Sequence, residues 1–169
     1  MILGNWSIDY SLYQWIVDNV KDGKVILELG SGNATEYLSK KWKMISIEED
    51  QDWIDKFDSN YIFAPIKNDW YDIDSIVNNL PKKVDVILID GPAHGKRIGF
   101  FENLDIFLKL RPSILIFDDV ERQNDFECYK KSLDRINSEF VTETNIFSSS
   151  KKFAIIRIKY SSVSGIPLK

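Results

Sequence analysis

Apolar residues run almost without interruption over Val25–Leu29, over Val84–Asp90 with only Asp85 intervening, and over Ser113–Phe117. Such short, flanked apolar runs predict parallel strands covered on both faces. Between them the spacing turns helical. Leu12, Trp15, Ile16 and Val20 fall on one face of a helix predicted from Trp6 to Val20, which Asp22-Gly23 stops. Ala34–Lys41 predicts a short helix and Lys43–Glu48 a second strand. Asp50 is placed to cap a helix carrying Trp53, Ile54 and Phe57. Tyr61–Ala64 predicts a short strand, Asp72–Leu80 a helix that Pro81 leaves, and Phe100–Leu110 another helix. Asp125–Phe140 predicts the last helix, with Tyr129, Leu133 and Ile136 facing inward. Val141–Phe147 and Phe153–Tyr160 predict two closing strands.

Strands and helices alternate through Phe117, which predicts an α/β fold with a mostly parallel sheet and helices on both faces. The last two strands are separated only by Ser148–Lys152, a hairpin-like gap that makes one of them antiparallel. Seven strands result, the last pair a C-terminal antiparallel hairpin. The length of 169 residues fits one domain spanning 1–169.

Chemistry gathers at the carboxyl ends of these strands, where open α/β sheets bind ligands. The first strand runs into Gly30-Ser31-Gly32-Asn33, and the second ends at Glu48. A glycine loop followed one strand later by an acid is how doubly wound folds hold an adenosine, the acid taking the ribose hydroxyls. The dinucleotide fingerprint G-x-G-x-x-G is broken, because Thr35 stands where its third glycine would be. Glu28-Leu29-Gly30-Ser31-Gly32-Asn33 resembles the first motif of the class I S-adenosylmethionine-dependent methyltransferases, whose cofactor has no pyrophosphate. The resemblance implies a Rossmann-like methyltransferase fold over nearly the whole chain and S-adenosylmethionine as cofactor. Glu28, Gly30, Ser31, Gly32 and Asn33 would then surround its methionine end, and Glu48 its ribose, with the neighbouring Glu49 as the alternative acid; Glu48 directly follows the apolar Ile47 and matches the family's position. Asp69 resembles the family's partner for the adenine amino group, with Trp70 against the ring; a turn or cap role for Asp69 is the alternative.

Asp90 ends the fourth strand and Asp118-Asp119 the fifth. Three converging carboxylates repel one another, and a divalent cation relieves that repulsion. Oxygen ligands suit Mg²⁺ or Mn²⁺. The set resembles the metal-dependent O-methyltransferases of the catechol, caffeoyl-coenzyme A and sugar types, which makes Asp90, Asp118 and Asp119 candidate metal ligands and Asp90 also a cofactor or catalytic residue. Helix capping or a solvated turn is the other reading of the Asp118-Asp119 pair. Ile89-Asp90-Gly91-Pro92 followed by Arg97 is similar to the glucuronoxylan-type sugar methyltransferases and points to a carbohydrate hydroxyl.

Two groups compete as general base. His94 follows Asp90 in the loop that would cover the acceptor, and imidazole titrates in the right range. Lys96 occupies the place that the catechol-type resemblance gives to a lysine. Arg97 either binds an acidic substrate group or pairs with Glu102.

Composition narrows the partners. Hydrophobic content of 44% supports a packed core, and a net charge of −4 argues against non-specific nucleic-acid binding. The expected acceptor is a small molecule or carbohydrate. Lys40, Lys41 and Lys43, and Lys130 with Lys131, read as solvated helix surfaces. The single Cys128 excludes an intrachain disulfide and suits a reducing compartment. No apolar run reaches membrane-spanning length, and the start of the chain, with Asn5 and Asp9, is not that of a signal peptide, so a cytoplasmic protein is expected. With no inserted lid, the acceptor pocket is open, completed by a second subunit of a homodimer, or made for a large substrate. The rival readings are a metal-free RNA or protein methyltransferase, a nicotinamide-dependent oxidoreductase and a non-catalytic nucleotide-binding protein.

Overall fold

The computed structural model describes residues 7–160. A seven-stranded sheet forms its centre, built from β1 (Val25–Leu29), β2 (Lys43–Glu48), β3 (Asn60–Phe63), β6 (Val86–Ile89), β7 (Ile114–Phe117), β8 (Val141–Ser148) and β9 (Lys152–Lys159). The order is β3-β2-β1-β6-β7-β9-β8. β3, β2, β1, β6 and β7 pair in parallel, β9 runs antiparallel to β7, and β8 runs antiparallel to β9. The order reverses between β1 and β6, so a crevice opens beyond their carboxyl ends.

The continuous apolar strands have the expected cause. Leu27, Ile87, Leu115 and Ile156 face one core, which Phe100, Phe107, Tyr129 and Ile136 complete. Ile26, Leu88, Ile116 and Ile155 face the other, against Leu12 and Ile16 of α1 (Tyr10–Asn19) and Leu38 of α2 (Thr35–Leu38). Asp9 caps α1, its carboxylate accepting from Leu12 N at 2.8 Å. The helix starts later than expected, at Tyr10, since residues 7–9 are not helical; Trp6 itself lies outside the described residues. No helix among the described residues is long and apolar enough to cross a membrane.

Three expectations need correction. After Asp50 there is only a 3₁₀ turn, Gln51–Trp53, because Ile54 is extended and Asp55 takes a left-handed φ of 59°. Phe100–Leu110 is not one helix but two, α4 (Ile98–Glu102) and α5 (Leu104–Leu108). Asn103 separates them, its side chain donating to Gly99 O at 2.8 Å. A small antiparallel pair, β4 (Ile66–Lys67) and β5 (Trp70–Tyr71), turns through Asn68 and Asp69, both with positive φ. It escapes the sequence pattern because each strand has only two residues. The helices α3 (Ile73–Val77) and α6 (Gln123–Asn137) lie where expected, α3 shorter at its end and α6 starting two residues earlier.

Candidate active site

A cleft of about 790 Å³ opens at the carboxyl edge of the sheet. Its walls come from Gly30-Ser31 after β1, Glu48–Asp50 and Trp53 after β2, Asp90–Arg97 after β6, Asp119 and Arg122–Asp125 after β7, and Lys151 in the β8–β9 turn. The strand ends thus deliver their side chains to one place.

On the glycine-loop side, Gly30 has φ 85° and lies against Gly91. Glu48 is buried, and its Oε2 accepts from Ser31 N at 2.7 Å. Its Oε1 accepts from Glu49 N and Asp50 N, both at 2.9 Å. Burial pushes the Glu48 carboxyl up to about 7, although these three N–H donors and the ordinary acidity of the group oppose it. Glu28 does not reach the cleft. It is buried behind the loop, where its Oε1 accepts from Thr35 Oγ1 at 2.7 Å and Ser46 Oγ at 2.6 Å. Burial raises its carboxyl to about 8. Thr35 Oγ1 in turn accepts from Gly32 N at 3.1 Å. Glu28 therefore shapes the glycine loop from beneath, and Gly32 and Asn33 lie outside the cleft walls with it.

The expected adenine partners are placed elsewhere. Asp69 is the turn residue of the β4–β5 pair, with φ 65°, and its exposed carboxylate takes Lys96 Nζ at 2.6 Å. The Trp70 ring is buried against Gly99, where its apolar surface serves the core. Trp53, expected on a helix after β2, lines the cleft from the end of a 3₁₀ turn, with Lys56 Nζ 3.6 Å from its ring centroid.

On the opposite side, Asp90, Asp118 and Asp119 do converge, with one carboxylate oxygen from each inside a 4.8 Å set. Asp119 reaches it through a left-handed φ of 58°, which aspartate tolerates. The Arg97 guanidinium bridges the carboxylates of Asp90 and Asp119 and meets Asp118 only at its main-chain carbonyl. Arg97, buried to 9% exposure, donates from Nη2 to Asp90 O, to Asp90 Oδ1 at 3.1 Å and to Asp119 Oδ2 at 3.2 Å. Its Nη1 donates to Asp118 O at 3.1 Å. Arg122 pairs with Asp119 as well, and Lys151 Nζ lies 3.0 Å from Asp119 and 3.5 Å from Asp118. Burial and the Asp90 charge push the Asp118 carboxyl up to about 8. Arg97, Arg122 and Lys151 offset part of the negative charge, and the Arg97 guanidinium already bridges Asp90 and Asp119. Both carboxylate oxygens of Asp118 stay buried without a hydrogen-bond partner among the described residues. Arg97 pairs with these acids and not with Glu102, contrary to one sequence expectation.

The two base candidates separate clearly. Lys96 is bonded to Asp69, which raises its ammonium and keeps it protonated. His94 stands 70% exposed at the cleft. Glu49, its carboxylate nearly buried, accepts from Ala93 N at 2.8 Å and His94 N at 3.1 Å, and its Oε1 lies 3.5 Å from His94 Nδ1. Sequence reading weighed Glu49 only as a rival of Glu48 for the ribose, and it missed Trp53, Arg122 and Lys151 as cleft residues.

The sequence matches no protein-family model and no curated protein. The fold does have solved counterparts. The METTL16 methyltransferase domain superposes with TM-score 0.64 at 13% identity, over 95% of this chain and 71% of that one. SAH-bound methyltransferase PaMTH1 of Podospora anserina gives 0.56 at 15%, over 80% and 72%. The E. cuniculi Mtq2–Trm112 complex, responsible for methylation of the eRF1 translation termination factor, gives 0.55 at 18%, over 90% and 94%. The chain shares with them the Rossmann-like methyltransferase fold.

Proposed function

We propose that this chain is an S-adenosylmethionine-dependent methyltransferase acting on a hydroxyl oxygen of a small molecule or carbohydrate, with Arg97 serving where a divalent metal would otherwise sit. The observation that carries the reading is one cleft, at the point where strand order reverses, walled by the Gly30-Ser31 loop, Glu48 and Asp90. Its volume of about 790 Å³ is in the range of cofactor sites. Gly30 and Ser31 would hold the methionine end, Glu48 the ribose and Trp53 the adenine. The cofactor supplies a methyl carbon made electrophilic by its sulfonium. This chain's residues position the acceptor, since such transfers gain most from alignment. Asp90, fixed by Arg97, faces the acceptor side, and His94 stands beside it. The net charge of −4 favours a small acceptor over RNA. A protein acceptor is the second reading, supported by the fold shared with the Mtq2–Trm112 complex.

Transfer of labelled methyl to panels of sugars, phenols, peptides and RNA, with and without EDTA, tests this. Labelling of a hydroxyl acceptor that EDTA leaves unchanged is expected. Label entering only peptide or RNA overturns the acceptor assignment, and loss of transfer with EDTA overturns the role of Arg97.

A further inference from the structure

The geometry points to Glu49 and His94 as a carboxylate–imidazole dyad, in which Glu49 positions His94 to take the proton of the acceptor hydroxyl. The inference rests on the methyltransferase reading and adds the proton's destination. Glu49 ends the cofactor-side strand region, yet its side chain crosses to the loop after β6 and grips it. One oxygen, Oε1, accepts both Ala93 N and His94 N and faces His94 Nδ1 at 3.5 Å. The other, Oε2, is buried and without a hydrogen-bond partner among the described residues. The Tyr71 hydroxyl, likewise buried, stands in the field of this carboxylate, which helps raise it well above the usual phenol range after burial itself. A carboxylate committed so fully to a loop 44 residues away fixes that loop's backbone, and it stands 3.5 Å from the exposed imidazole that the loop carries.

A carboxylate on Nδ1 favours the tautomer with the proton there and leaves Nε2 basic. In His94 that leaves Nε2 for the cleft, since the paired atom is Nδ1. The competing groups are engaged: Lys96 with Asp69, Asp90 with Arg97, and Asp125 with Arg97 and Arg122. In the step, the acceptor oxygen gives its proton to His94 Nε2 while its electron pair bonds the methyl carbon. The carbon–sulfur pair stays on sulfur, and the imidazolium releases its proton to water.

His94 is the only histidine of the chain, so its ¹⁵N imidazole signals can be read without assignment. In the ligand-free protein, the Nδ1-protonated tautomer should predominate. Glu49→Gln keeps an oxygen for the two backbone N–H groups and removes the charge. It should shift the signals towards the Nε2-protonated tautomer, leave S-adenosylhomocysteine affinity unchanged, and lower kcat about tenfold with KM little altered. His94→Gln should lower kcat about 10²-fold, the usual contribution of a general base. Glu49→Gln spectra and kcat equal to wild type would overturn the dyad and leave Glu49 a loop latch. Failure of the wild-type protein to bind S-adenosylhomocysteine would instead overturn the methyltransferase reading, which the ligand-free spectra do not depend on.

Discussion

Gly30 and Gly91 cross so closely that a Cβ on Gly30 would lie 2.8 Å from Gly91 Cα, and one on Gly91 would lie 2.7 Å from Gly30 Cα. The glycine of the loop after β1 is thus required first by the loop after β6, before any ligand arrives. Gly91→Ala has no room to relax between two backbones and the Tyr71 hydroxyl. It should destabilise the fold by about 2–3 kcal/mol, as overpacking does. Urea denaturation of the variant checks this.

Glu28 gives the stability a pH dependence of definite sign. Its carboxyl is near 4.5 when unfolded and about 8 when buried in the fold. Between those values the folded state binds the extra proton, so stability is full below about 4.5 and falls as pH rises towards 8. Asp118, raised to about 8, acts in the same direction. Glu28→Gln retains an oxygen for Thr35 and Ser46 and should flatten the decline. Urea midpoints measured from pH 5 to pH 9 in both proteins provide the comparison.

Arg97 holds together carboxylates that otherwise repel. Arg97→Met keeps much of the volume and removes the charge, leaving Asp90 and Asp119 with fewer counter-ions. The loss should reach about 3–5 kcal/mol, the cost of breaking a buried pair. Mn²⁺ or Ca²⁺ should then raise the melting temperature of the variant and leave the wild-type value unchanged. Thermal melts with and without the ion read the difference directly.

Trp53 offers the cleft its aromatic surface. Stacking of this kind contributes about 0.5–1.5 kcal/mol. Trp53→Ala should weaken S-adenosylhomocysteine binding by roughly threefold to tenfold, whereas Trp70→Phe, a change inside the core, should leave that affinity in place. Equilibrium titration of the two variants distinguishes the rings.

The sheet was legible because strands buried on both faces are largely apolar: Ile114–Phe117 wholly so, and Val25–Leu29 apart from Glu28. Strand-end acids were legible for the same reason: Asp90 and Asp118 are the first polar residues after such runs. What those acids touch was not. Arg97, Arg122 and Lys151 reach the cluster from three separate segments, and no spacing rule links them to it. Trp53 reached the cleft unforeseen because helical spacing cannot tell a 3₁₀ turn from a helix, and Trp70 lies in the core on a two-residue strand that leaves no period to read. Asp69 stands in a turn with a left-handed φ, a backbone state that no sequence period announces.

Calorimetric titration of the protein with S-adenosylhomocysteine tests the central claim most directly. The account predicts one site of micromolar affinity, about −8 kcal/mol, weakened by Trp53→Ala. Absence of binding by the folded protein would contradict it.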